Sequence, residues 1–212
     1  MGIPRKIIEG QPVLVVVDIQ NGETRADGTS PIPRMPGRDL MVENAMKLIK
    51  TARSTDIPLI FIQEAHRRDG IDFGRELDGA EDVHCLEGDH GTEIMSCLGM
   101  KEDDYFIRKR RYSCFFGTDF EILVRGIKAD TLIFIGGLTD VCVHYSFADG
   151  HQSDFYCRVV EDCVSGSSLP AHKASLEAME YLQTGARRST ADMVEAMQNW
   201  HQRQPDAIQA AR

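Results

Sequence analysis

No two of the six cysteines form a C-x-x-C pair, which removes zinc ribbons and thioredoxin-type redox motifs. A G-x-G-x-x-G run is missing too, so Gly136-Gly137 is no dinucleotide fingerprint. The apolar run from Val13 to Val17 stops at Asp18, far short of the roughly 20 residues that span a bilayer. No secretory n-region, h-region and cleavage site precede it. Lys6 stands where a myristoylation signal needs Ser or Thr. Asn21, Asn44 and Asn199 all lie outside N-x-Ser/Thr acceptors. Positive charge is in deficit: 24 Lys and Arg against 33 Asp and Glu give −9. That surplus of carboxylates repels phosphate backbones and anionic headgroups, so neither nucleic acid nor membrane is an expected partner. The expected location is the cytoplasm, where the cysteines stay reduced.

What remains is ordinary globular material. The chain has 212 residues, 42% hydrophobic and 27% charged, which fits a single domain over residues 1–212 with no need of a metal or disulfide staple. The polar tail from Arg203 to Arg212 is expected to be disordered. Short β-rich runs alternate with helical stretches. Val13–Asp18, Pro58–Gln63, Tyr105–Lys109, Thr131–Gly136 and Tyr156–Glu161 read as strands. Helices are expected over 39–55, 120–124, 142–152, 171–183 and 190–201. Such alternation predicts a parallel sheet covered on both faces. Residues 21–38 and 64–92 break the rhythm, and loops that long usually carry function.

Ligands of open parallel sheets bind beyond the carboxyl ends of the strands. Asp18 closes the first strand, Lys109 the third, and Gly136 to Cys142 follows the fourth. A carboxylate, an ammonium and a thiol therefore reach one edge. Cys142 is placed near the start of a helix, whose dipole is expected to lower the thiol pKa.

Three segments carry a family resemblance. Val15-Val16-Val17-Asp18-Ile19-Gln20-Asn21 resembles the first motif of the isochorismatase-like cysteine hydrolases, an apolar strand ending in Asp-x-Gln. Lys109-Arg110-Arg111-Tyr112-Ser113-Cys114-Phe115-Phe116-Gly117-Thr118 resembles their lysine motif. Gly136-Gly137-Leu138-Thr139-Asp140-Val141-Cys142-Val143 resembles their nucleophile motif. The resemblance runs from about residue 11 to 190, with order and spacing kept.

It implies an α/β, Rossmann-like three-layer sandwich with a central six-stranded parallel sheet. It also implies a catalytic triad of Asp18, Lys109 and Cys142. An oxyanion hole at the backbone N–H groups of Leu138 and Cys142 follows, with a cis peptide between Gly137 and Leu138. The expected reaction is C–N hydrolysis of a small amide or ureide through a cysteine acyl-enzyme. Isochorismatase-type vinyl-ether hydrolysis is the alternative, and a binding module using the same fold is a third. Family members are often dimers or tetramers, so a homo-oligomer is expected.

Gln20, His66 and Tyr112 are the candidate substrate-binding residues, with Asn21 beside them. Glu64-Ala65-His66 resembles the D-x-H metal motif of nicotinamidases, but no H-x-x-H follows, so neither metal nor cofactor is expected. His84, Cys85, His90 and Cys97 have no zinc-ligand spacing. Asp18 is expected to be the only proton acceptor near the thiol. Arg25, Arg34, Arg38, Arg67, Arg68 and Arg75 concentrate positive charge in the two long loops, which suits an anionic substrate.

Overall fold

The computed structural model describes residues 6–203. The tail expected to be disordered lies outside the described residues, apart from Arg203. Six strands form one sheet: β1 (Pro12–Val17), β2 (Leu59–Glu64), β3 (Tyr105–Lys109), β4 (Thr131–Gly137), β5 (Tyr156–Ser165) and β6 (Arg187–Arg188). Their order is β3-β2-β1-β4-β5-β6, and every pairing is parallel. The five strands expected from the sequence are present within a residue or two at their starts. β5 runs four residues beyond its expected end, and its register with β4 shifts between Phe134 and Gly136. β6 is only two residues long, too short to leave a periodic signal.

Side-chain alternation explains the layers. Val13, Val15 and Val17 join one core with Ile60, Ile62, Leu132 and Phe134. Three helices cover that face: α2 (Phe120–Gly126), α3 (His144–Gln152) and α4 (Leu169–Leu182). Leu14 and Val16 point the other way, with Phe61, Ile133 and Ile135. There they meet α1 (Arg38–Ser54) and α5 (Thr190–Gln202). All six residues of β1 and of β2 are buried, as continuous apolar runs require when both faces of a sheet are covered. Local signals set the helix starts. Ser168 accepts the Ala171 N–H with Pro170 in the first turn of α4, and Ser189 with Asp192 forms a capping box at α5.

Residues 18–37 hold no regular element apart from an isolated antiparallel bridge between Gln20 and Ile94. Residues 65–104 hold only three single 3₁₀ turns and a bridge between His66 and Leu86. Among the described residues no helix is long and apolar enough to cross a membrane.

Candidate active site

The chain leaves β1 for neighbours on both sides, so a crevice opens at the carboxyl edge where strand order reverses. Asp18 follows β1 with φ at +50°, a left-handed turn that Asp tolerates better than most residues. Gly136 of β4 passes so near β1 that a Cβ there would lie 1.9 Å from the Val17 carbonyl oxygen. Only glycine fits that approach. Glu64 and Lys109 end β2 and β3 and are register partners, so their side chains leave the same face.

These four strand ends converge. Lys109, with no exposed surface, places Nζ 2.8 Å from Asp18 Oδ2 and 2.8 Å from Glu64 Oε2. It also donates to Cys142 Sγ at 3.2 Å, and the thiol lies 3.5 Å from Glu64 Oε2. The structure brings together Asp18, Lys109 and Cys142 and adds Glu64, so Asp18 is not the only carboxylate beside the thiol. Glu64 ends an apolar strand just as Asp18 follows one, and that shared position was its signal in the sequence.

Burial sets the electrostatics. It pushes Asp18 up to about 6, against the lowering effect of the Lys109 charge. Burial opposes the ionised form of Glu64 too, but Lys109, His66 and His84 outweigh it and hold that carboxyl well below the usual range. Lys109 loses solvation, yet the surrounding charges of Asp18, Cys142 and Glu64 hold its pKa well above normal. Cys142 departs from expectation. It sits within a π turn at 139–143, ahead of α3, where the Val141 and Val143 N–H groups both donate to the Leu138 carbonyl. Burial, with the nearby Asp18 and Glu64 charges, raises its pKa well above normal although Lys109 pulls down. Burial thus favours the thiol form of Cys142 over the thiolate. Asp18 Oδ1 is buried without a hydrogen-bond partner. The Gly137–Leu138 peptide is cis.

A cleft with about 720 Å³ of free space, its mouth included, opens over this group. Asp18, Gln20, Glu64, Tyr112, Leu138 and Cys142 line it. Tyr112 stacks on Tyr145 with ring centroids 5.7 Å apart. The Gln20 amide is committed elsewhere: it donates to the Glu64 and Thr92 carbonyls at 2.9 and 2.7 Å and accepts from the Glu64 N–H at 3.1 Å. It braces β1 against β2 rather than offering hydrogen bonds to a ligand. The Asn21 side chain turns to His90.

His66 does not line the cleft. It has no exposed surface, stacks on Phe73 at 4.0 Å, and sits behind Glu64 with Nε2 3.3 Å from Oε1. Its partner is a histidine that spacing rules did not connect to it. His84 places Nε2 2.9 Å from the same Glu64 oxygen and 3.7 Å from Glu76. One ligand atom from each of Glu64, His66, Glu76 and His84 lies within 4.8 Å of the others, a nitrogen and oxygen set able to hold a divalent cation. The same groups also balance one another without one. Although burial opposes it, hydrogen bonds to Glu64 and Glu76 raise His84 to about 10, so its imidazolium faces two carboxylates. His90 is exposed and stands apart from this group.

A buried carboxylate–ammonium–thiol cluster thus sits at the switch point of a doubly covered parallel sheet, in an α/β protein. The isochorismatase domain model matches residues 12–193, and the chain belongs to that family. Among curated relatives, a ureidoacrylate amidohydrolase, RutB, of Acinetobacter baylyi is 26% identical over 188 residues, covering 78% of this chain and 76% of its own. The solved N-carbamoylsarcosine amidase of Thermoplasma acidophilum superposes with a TM-score of 0.70 at 26% identity, over 85% of this chain and 97% of its own. A cysteine hydrolase structure from Pseudomonas syringae pv. phaseolicola reaches a TM-score of 0.79 at 23% identity, over 94% of this chain and 99% of its own, and supports the fold.

Proposed function

We propose that this chain hydrolyses a C–N bond of a small amide or ureide through an acyl-enzyme on Cys142. The observation that carries the reading is the one ammonium of Lys109, shared by Asp18, Glu64 and the thiol at 2.8, 2.8 and 3.2 Å. A binding module needs no such arrangement. The names of the relatives, an amidohydrolase of ureidoacrylate and an amidase of N-carbamoylsarcosine, support C–N cleavage over vinyl-ether cleavage.

The thiol gives its proton to Asp18 as sulfur attacks the carbonyl carbon. A carboxylate whose pKa is raised to about 6 stays ionised at neutral pH yet holds a proton more readily than an ordinary Asp. Lys109 offsets the negative charge that forms on sulfur. The backbone N–H groups of Leu138 and Cys142 hold the oxyanion, each such donor being worth about 2.7–4 kcal/mol in rate. Asp18 then passes its proton to the leaving nitrogen, the C–N bond breaks, and ammonia or an amine departs. Water, deprotonated by Asp18, attacks the thioester. The carboxylic or carbamic acid leaves and the thiol is restored. Glu64 stays ionised throughout and fixes Lys109 from the side opposite Asp18.

The test is ammonia or amine release across a panel of amides, ureido acids and nicotinamide, with Cys142→Ala as control. Release that disappears in the variant supports the reading. Turnover of a vinyl ether alone, or release that survives in Cys142→Ala, overturns it.

A further inference from the structure

The six arginines of the two long loops divide into two groups. Arg25 pairs with Asp82, Arg67 with Asp69 at 3.8 Å, Arg68 with Asp89 at 2.6 Å and Arg75 with Asp78 at 3.0 Å. Arg34 and Arg38 have no carboxylate within ion-pair distance among the described residues, and these two alone of the six line the cleft. Arg38 is held by backbone: its Nη2 donates to the Gln20 and Asn21 carbonyls. Arg34 makes no hydrogen bond among the described residues. Its guanidinium lies against Gly22, where a Cβ would come within 2.6 Å of Nη1, and Gly22 has φ at +79°. The Glu23 carboxylate accepts the Cys85 N–H at 3.2 Å. Desolvation, and then the Arg38 charge, lower the Arg34 pKa, against the raising effect of the Glu23 charge. The cleft thus keeps two like charges with no carboxylate within ion-pair distance of either among the described residues, Glu23 acting only from further off, in a protein whose net charge is −9.

We propose that Arg34 and Arg38 form a subsite for the carboxylate of the substrate, which makes the substrate a small ureido or amido acid with its scissile carbonyl at Cys142. The cleft also suits the other end of such a molecule. Asp18, Glu64, Glu76 and Glu81 line it too, and carboxylates accept the N–H groups of a carbamoyl or amide but repel a second carboxylate. One planar guanidinium binds a carboxylate through two parallel N–H bonds, a geometry that Lys cannot reproduce. This inference rests on the proposed C–N cleavage for the position of the carbonyl, not for the presence of the anion site.

The experiment measures binding and turnover separately. In Cys142→Ala protein, which leaves the ligand intact, calorimetry compares ureidoacetate, 3-ureidopropionate and 4-ureidobutyrate with neutral propylurea. At least one ureido acid should bind about tenfold more tightly than propylurea, the scale of one charged hydrogen-bonded pair. Adding Arg34→Met should remove that preference and leave propylurea binding unchanged, with an unaltered melting temperature. Equal binding of acid and neutral compound, no binding of any acid, or a preference that survives Arg34→Met overturns the subsite. Ammonia release from the same compounds with unmodified protein tests the reaction. Acid-selective binding without ammonia leaves the subsite standing and removes the hydrolase reading. Ammonia without acid selectivity does the reverse.

Discussion

The two walls of the cleft are built from different material. One is made of strand ends. Asp18, Glu64 and Lys109 leave adjacent strands, and each charge has a partner within 2.8 Å. The other wall is loop, where Arg34 makes no hydrogen bond or ion pair among the described residues and Arg38 is held by main-chain oxygens and the Met95 sulfur. A group that must transfer a proton needs fixed neighbours, because its pKa is set by distances of a few ångströms. A group that must meet a ligand needs unmet capacity. On the proposed reading, reaction type is written in the sheet and ligand choice in the loops, so the walls should fail differently when altered.

The largest effect belongs to the strand wall. Cys142→Ala should lower turnover to below roughly one thousandth while the circular dichroism spectrum and melting temperature stay close to those of the parent. Retained activity would erase the distinction between the walls. Lys109→Met should also abolish turnover, and it should destabilise the fold by roughly 3–5 kcal/mol in urea titrations, because Asp18 and Glu64 would remain buried as like charges. A stable, inactive Lys109→Met protein would show that Lys109 serves the reaction without holding the wall together.

Smaller effects follow from pH. Below about 6 Asp18 is protonated and cannot accept the thiol proton, so kcat/KM should fall about tenfold for each pH unit below that point. It should be level above it until a further group titrates. Glu64 is one of the charges that raise Asp18. Glu64→Gln should therefore move this acid limb to lower pH, and a limb that stays in place would assign it to another group. The smallest effect concerns the cluster behind Glu64. Lys109 at 2.8 Å and the His84 imidazolium at 2.9 Å already supply positive charge to Glu64. Prolonged EDTA treatment should leave ammonia release unchanged. Loss restored by zinc, manganese or iron would make Glu64, His66, Glu76 and His84 a working part of the strand wall.

The same division explains what could be read before any coordinates. The β-branched run Val13–Val17 and the runs at 59–62 and 132–135 announce strands buried on both faces, and the cleft is lined by residues just beyond each: Asp18, Glu64 and Gly137. Asp18, Lys109 and Cys142 could be picked out because one follows β1, one ends β3 and one lies in the turn just after β4. Glu64 was visible at the end of β2, but its ties to Lys109 and to two histidines depend on contacts across 45 and 20 residues. No local pattern encodes such contacts. His66 was misplaced for the same reason: the chain turns it inward against Phe73, and a loop sequence does not show which way a ring faces. The thiol pKa was expected to fall with the helix dipole, yet burial beside two carboxylates decides its sign. In the loops, six arginines looked alike until four of them proved to be paired.

Strand order also has a consequence for synthesis. The ribosome delivers β1, β2 and β3 as a consecutive half-sheet, and with them Asp18, Glu64 and Lys109, whose charges offset one another. Cys142 arrives 33 residues after Lys109, at translation speeds of about 5–20 residues per second some two to seven seconds later. The acids and the amine are synthesised before the Cys142 thiol exists. The chain closes on itself later still, when the Trp200 indole N–H donates to the Gly10 carbonyl 190 residues back. For the 33 residues between Lys109 and Cys142, out of 212, the growing polypeptide carries the two acids and the amine without the Cys142 thiol.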